Sequence, residues 1–379
     1  MAQLGNTTIS DTGYITLPTG DSSTRPTPTA GMIRVNTTNS LIEFYDSTGW
    51  KPITGISRGS IGTGGDQILY ATSNVGRANG VVHVFTTVGA ATFTPAFTGN
   101  VDVLVIGGGG SGGGHLGAGG GAGGMYFNRN YPVSNGVGIP VSVGGGGAAP
   151  AAYAQSSNPG SNSVFGSITM TGGGGGGSWD GYYGRPGGSG GGGCPGSTGG
   201  GSNTHTGPND SRNTNMGGRG ILGQGFPGGS GIRYNRFGED THKAGGGGGA
   251  GGPGFSNEDD PHQGLNSDGG PGAANDVMGY TLYWAGGGGA AVHQGSSIVS
   301  PSGGIGGGGG GNQYHGGPRQ DSTNGAHGNG RGGGMSLNTG GQGSSHYVGG
   351  AGGANTGSGG AGAYGAAGAG GSGIVIVRY

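Results

Sequence analysis

Apolar positions fall in short bursts near the two ends of this chain and almost vanish between them. Val101-Asp-Val-Leu-Val-Ile106 and Ile374-Val-Ile-Val377 are the densest bursts, and they bracket the apolar-poor middle. Val81 to Phe85, Ala91 to Thr94, Met125 to Phe127, Val137 to Val143 and Val164 to Met170 are rich in β-branched and aromatic residues, several with period-2 alternation. Short strands separated by turn signals predict a β-sandwich over residues 80–171, completed by 373–379. A separate set of short strands, Tyr14 to Leu17, Met32 to Asn36, Leu41 to Tyr45 and Gly49 to Ile53, marks an N-terminal β module over 1–56. That module is too small for a secure core and is expected to borrow stability from neighbouring copies or a neighbouring protein. Residues 57–79 read as a linker and a first strand.

Composition changes the picture of the middle. Glycine supplies 113 of 379 residues, yet its runs are contiguous (Gly172 to Gly177, Gly245 to Gly249, Gly306 to Gly311) and proline totals only 18, which excludes collagen. Charged residues are only 8 % with a net charge of −1, so nothing electrostatic holds the chain open as a disordered polymer. Polyproline-II helices of glycine have three residues per turn and no internal hydrogen bonds. Packed side by side they can satisfy one another's backbone, at a spacing only glycine permits. A packed polyglycine-II slab over 172–372, joined by loops at two ends, is therefore expected. The fold class is mainly β with irregular glycine-rich structure and almost no α-helix.

Charge excludes nucleic acid as the main partner, because Lys and Arg are scattered singly. The N-terminus is polar without a secretory h-region, and no apolar run approaches a bilayer span, so no membrane insertion is expected. One cysteine, Cys194, rules out an internal disulfide. The strand before Gly107-Gly-Gly109-Gly-Ser-Gly112 mimics a dinucleotide fingerprint, but the following Gly/Ala stretch is a poor helix and no carboxylate follows at the required distance. Nine scattered histidines show no metal-ligand spacing. Glu258-Asp-Asp260 reads as a solvated loop rather than a calcium site. Neither cofactor, metal nor catalytic residue is expected, and the chain does not read as an enzyme.

The aromatics carry more. Trp179, Tyr182, Tyr183, Tyr234, Phe237, Tyr280, Tyr283, Trp284, Tyr314 and Tyr347 lie between glycine runs from 172 onward. If each run crosses the slab once, all ten fall at one end, with Phe226 and Phe255 at the other. Concentrated exposed rings give contact area at low entropic cost, the chemistry of a receptor-binding face. Asp180, Arg185, Arg233, Arg236, Asp240 and His242 lie in the same loops and could read acidic or hydroxyl-bearing glycans.

Val84 to Pro95, Val101 to Gly110, Asn162 to Gly174 and Gly370 to Tyr379 together resemble the glycine-rich domains of bacteriophage tail-fibre proteins. Pro28 to Tyr45 with Gly49-Trp50 resembles a short β module of phage fibre and virion proteins. The glycine array is similar to that of T-even-like phage tail-tip adhesins, whose polyglycine-II sandwich displays receptor-binding loops. This resemblance implies a virion protein, made in the host cytoplasm, that recognises a bacterial surface glycan or outer-membrane protein. It also implies contacts with other phage tail or baseplate proteins through residues 1–56, and a homo-oligomer with a trimer favoured. Unlike those tip adhesins, this chain carries its own N-terminal module. The alternative is a purely structural virion decoration, head fibre or surface filament.

Overall fold

A computed structural model describes residues 17–38, 41–52, 61–71, 80–152, 157–179, 183–195, 203–207, 210–236, 239–256, 267–293, 300–314, 331–344 and 347–379. The chain divides into two compact units, Met1–Ile61 and Gly62–Tyr379. Among the described residues the only helix is a single 3-10 turn, and regular structure is otherwise all strand.

The first unit is a four-stranded sheet in chain order: β1 (Thr19–Gly20), β2 (Ile33–Asn36), β3 (Leu41–Tyr45) and β4 (Trp50–Pro52). Its pattern is inside-out. Arg34, Asn36 and Glu43 are buried, whereas Ile33 is 45 % exposed. Arg34 pairs with Glu43 in the register, Val35 with Ile42 and Ile33 with Phe44. One face of the sheet therefore gathers polar groups and the opposite face Ile33, Val35, Ile42 and Phe44. On the polar face Glu43 accepts from Arg25 Nη2 at 2.7 Å, Arg25 Nε at 3.1 Å and Asn36 Nδ2 at 2.9 Å. Arg34 Nη2 donates to the Asp21 carbonyl, pinning the 3-10 turn Ser22–Thr24 over the carboxylate. The two arginines hold the Glu43 carboxyl below its ordinary range, first through the Arg25 hydrogen bond.

In the second unit, a five-stranded antiparallel sheet is formed by β5 (Gln67–Ala71), β6 (Gly80–Phe85), β8 (Gly99–Ile106), β9 (Met125–Val133) and β21 (Ile374–Arg378). Its order is β5-β6-β21-β8-β9. A four-stranded sheet of β12 (Ile168–Met170), β11 (Ser163–Phe165), β10 (Ile139–Val143) and β7 (Gly89–Phe93) packs on it. Phe93, Val103, Val105, Phe165, Val375 and Val377 are among the residues buried between them. The 164–170 segment is not one strand: Gly166, at φ +55°, turns it into a hairpin. The larger sheet is covered on its second face too. Val84, Leu104, Ile106, Ile374 and Ile376 pack with Ala122, Trp284 and Ala285 from the glycine region. Burial on both faces explains why Val-Leu-Val-Ile and Ile-Val-Ile-Val are continuous rather than alternating. The C-terminal Tyr379 closes the sandwich edge. Its hydroxyl accepts from Gly62 N at 2.8 Å, and His83 Nε2 lies 3.0 Å away.

The glycine array begins at Gly107, directly after β8, and not at Gly172. Its bonding shows the threefold repeat of polyglycine II. Gly107, Gly110 and Gly113 donate to Gly124, Gly121 and Ala118; Gly108 and Ser111 donate to Ser161 and Asn158; Gly109 and Gly112 donate to Gly371 and Gly368. The run 117–124 is enclosed on all sides. It donates to the runs 171–177, 244–249 and 357–363, and accepts from 107–113, 188–194 and 285–290. Six neighbours at hydrogen-bonding distance leave room in this run for the methyl groups of Ala118 and Ala122, both fully buried, and for glycine at the other positions. A Cβ at Gly119 would sit 1.9 Å from the Gly288 carbonyl oxygen, and one at Gly123 2.0 Å from that of Gly107. Because 107–113 starts at the sandwich, the array has a near end against the larger sheet and a far end where 107–113 turns back at His115.

Candidate functional site

The far end collects the chain reversals that carry rings. Run directions follow from the bonded pairs. The run 171–177 is antiparallel to 117–124 and so ends far, at Ser178 and Trp179; 285–290 likewise ends far, feeding β19 (Ala291–His293). The run 357–363 also ends far and reverses at Tyr364, which breaks a stretch the sequence suggests is one crossing. Six rings chain across this end. Tyr347 and Tyr364 have centroids 5.4 Å apart, Tyr364 and His115 6.1 Å, and His115 and Trp179 6.3 Å. Trp179 meets His242 edge-on at 4.4 Å, and His242 lies 5.4 Å from His293.

Three of the seven non-glycine residues with positive φ among the described residues lie at this end. His115, Leu116 and Tyr347 hold φ values of 54°, 57° and 65°, the left-handed region that disfavours a Cβ by roughly 1–2 kcal/mol per residue. In a chain so rich in glycine, these turns keep a side chain where glycine would relieve strain. Leu116 uses its side chain for packing, being 5 % exposed. Tyr347 is 36 % exposed, and His115, Trp179 and Tyr364 are half-buried.

Beside the ring band stands a six-stranded sheet: β13 (Asn203–Gly207), β14 (Asp210–Asn215), β15 (Gly231–Arg236), β16 (Glu239–Lys243), β19 and β20 (Asn312–Tyr314), in that order. One register row crosses every strand: Thr204, Asn213, Arg233, His242, His293, Tyr314. The adjacent row holds His205, Arg212, Tyr234 and Thr241. The aliphatic residues of the six strands are Ile232, Ala291 and Val292, each at a strand start where the chain leaves the array. This sheet lacks the apolar alternation of one packed on a core.

The structure divides the ten expected site residues. Trp179 and Tyr347 lie in the ring band, and Tyr183 is exposed at the same end. Tyr234 and Tyr314 occupy register positions in the six-stranded sheet. Tyr182 and Phe237 lie outside the described residues. Tyr280, Tyr283 and Trp284 belong to the near end, around the hairpin of β17 (Ala273–Asn275) and β18 (Leu282–Trp284). Trp284 is fully buried against Leu104 and Ile106, so it is a core residue and not a receptor contact. The reason is the crossing count. The stretch 184–194 doubles back at Gly187-Gly188, and 244–256 doubles back at 250–252, so apparent single runs are pairs. His115, Tyr364 and His293 join the band without having been singled out by sequence. A ring interrupting a glycine run was the available signal for Tyr364.

The dinucleotide-like segment has no helix after its strand: the amides of Gly107 to Gly113 donate to neighbouring runs. No group of three His, Cys, Asp or Glu among the described residues gathers to hold a metal. No described helix is long and apolar enough to cross a membrane. Glu258-Asp-Asp260 lies outside the described residues.

Comparison with curated proteins finds no match. Residues 86–291, more than half the chain and including β7 to β12 and much of the array, match the family described as Glycine-rich domain, and the chain belongs to that family.

Proposed function

We propose that this protein is a phage tail-fibre or receptor-binding protein, anchored through residues 1–56 and contacting a bacterial surface with the far end of its glycine array. The observation that carries the reading is the ring band. A scaffold with almost no side-chain freedom presents Tyr347, Tyr364, His115 and Trp179 together, two of these rings on left-handed backbone. Loops held on such a scaffold lose little ordering entropy on contact, which suits weak sites multiplied by several copies. The inside-out N-terminal sheet supports the anchoring half of the reading. Its apolar face of Ile33, Val35, Ile42 and Phe44 suits like copies in a homo-oligomer, a trimer being favoured, and the virion's tail proteins as further partners. The function is binding, without catalysis or cofactor.

The test is retention of fluorescently labelled full-length chain on host-type cells, beside the Trp179→Ala/Tyr183→Ala double variant with an unchanged melting profile. Retention lost in the variant supports the far end as the binding face. A folded wild-type chain that binds no candidate host points instead to a structural virion decoration or surface filament.

A further inference from the structure

We infer that His83 and Tyr379 form a proton-operated latch on residues 62–65, the first of the second unit. The segment lies closed on the sandwich while His83 is neutral and opens locally when His83 takes up a proton. This inference stands apart from the adhesin reading. Residues 62–65 read Gly-Thr-Gly-Gly, so no apolar side chain anchors them. Their hold is polar instead. Thr63 and Thr94 exchange backbone bonds of 2.8 and 2.9 Å, Gly62 N donates to the Tyr379 hydroxyl at 2.8 Å, and His83 Nδ1 lies 2.6 Å from the Gly64 carbonyl oxygen. Two of these four bonds run through the latch pair.

The network has one consistent proton assignment. A carbonyl oxygen only accepts, so Nδ1 carries the ring hydrogen and donates to Gly64. Nε2 is then an acceptor, and the Tyr379 hydroxyl, already accepting from Gly62, donates to it at 3.0 Å. Every group is satisfied, and only by the neutral imidazole. A second ring proton would sit on Nε2, and the hydroxyl's own hydrogen would lose its acceptor.

The surroundings offer a cation no compensation. His83 is fully buried, with the Phe93 ring edge-on at 5.1 Å and the Tyr379 ring stacked at 5.6 Å. Its register neighbours are Ile68 on β5 and Val377 on β21. Among the described residues, the Tyr379 phenol is the titratable group against the ring. Arg378 and Asp102, opposite each other in the register, lie on the other face of the sheet, and the Asp66 carboxylate accepts from the amides of Thr86 and Thr87. Burial accordingly holds the imidazole below its ordinary pKa.

In the open state the ring reaches water and titrates near pH 6.5. Linkage then raises the opening constant by up to about thirtyfold between pH 7.5 and 5.0. Opening releases up to about 14 Å of extended chain beside the boundary with the first unit.

The experiment is hydrogen exchange with mass spectrometry on the full-length chain at pH 7.5 and 5.0, corrected for the intrinsic rate at each pH. His83→Gln, which keeps a donor and an acceptor but gains no proton, and Tyr379→Phe run in parallel, with β8 and β21 as internal references. Exchange of 62–65 at least tenfold faster at pH 5.0, with β8 and β21 still protected, is the expected result for the wild-type chain. The rise should vanish in His83→Gln, and Tyr379→Phe should already exchange faster at pH 7.5. Protection of 62–65 that ignores pH, or an equal rise in His83→Gln, overturns the latch. So does loss of protection in β8 and β21 together with the segment, or a Tyr379→Phe segment as protected as wild type.

Discussion

If glycine in the array is required for the space it leaves, and not for its backbone freedom, one methyl group should separate the two roles. Gly121 sits in the enclosed run 117–124 with no positive φ, so alanine can adopt its backbone conformation. The added Cβ would lie 2.2 Å from the Ser189 carbonyl oxygen, where ordinary contact begins near 3.4 Å. The run 188–194 would have to retreat by about 1 Å. It is tied by Ser189 N to Ala122 O at 2.8 Å, Gly192 N to Gly119 O at 2.8 Å and Gly174 N to Ser189 O at 2.9 Å. Weakening two of these costs about 2 kcal/mol, and overpacking adds about 1–3 kcal/mol. At roughly 2–4 °C per kcal/mol, Gly121→Ala should lower the melting temperature by roughly 10 °C. Gly334→Ala is the counterpart: nothing lies within 4 Å of its Cβ position and its φ is not left-handed. There the methyl group should stabilise by about 0.4–1 kcal/mol, through lost freedom in the unfolded chain. Differential scanning calorimetry of the two variants gives opposite signs if the packing argument holds. Equal shifts, or an unmoved Gly121→Ala, would refute it.

Burial holds the His83 imidazole pKa below its ordinary value, so the unfolded chain takes up a proton that the sandwich resists. Stability should therefore be full above about pH 6.5 and fall as pH drops below that value, with the dependence weakened in His83→Gln; urea titrations between pH 8 and 5 check it. Tyr379→Phe keeps the ring but loses the hydroxyl's contacts to Gly62 and His83, and should cost about 1–2 kcal/mol in the same titrations. Glu43→Gln leaves the buried Arg34 without its counter-charge in the small first unit, a loss of about 3 kcal/mol, enough to expose residues 17–52 to limited proteolysis while the second unit stays intact. Because the Glu43 carboxyl is held below its ordinary value, the wild-type first unit should keep this contribution above about pH 4.5 and lose it as pH falls through the lowered value.

The strands were legible because β-branched bursts have few other solutions, and the glycine helices because nothing else satisfies such runs. The extent of the array was less so. Gly107 to Gly113 follow a strong strand and look like its loop, yet their bonds run to residues as distant as Gly371. The end assignments failed at reversals made of glycine itself, Gly187-Gly188 and the turn at 250–252, which carry no side-chain punctuation. Trp284 looked like a surface ring because its neighbours are glycine and alanine, and only the array's contact with the larger sheet explains its burial. The inverted first unit was hidden for a different reason: Ile33-Arg-Val-Asn36 alternates, but alternation does not say which face is inside.

The position of β21 has a consequence for biosynthesis. This strand follows β5, β6, β8, β9 and the whole glycine array in sequence, yet it sits third of five in the larger sheet, between β6 and β8. While a ribosome is still translating, neither sheet neighbour has its partner, and the run 107–113 lacks its acceptors at Gly368 and Gly371. The nascent second unit must wait with two apolar edges open, the circumstance in which chains recruit chaperones or aggregate. Any message cut short before Ile374 encodes a product that cannot close its sheet, so synthesis of residues 374–378 is itself the checkpoint for assembly.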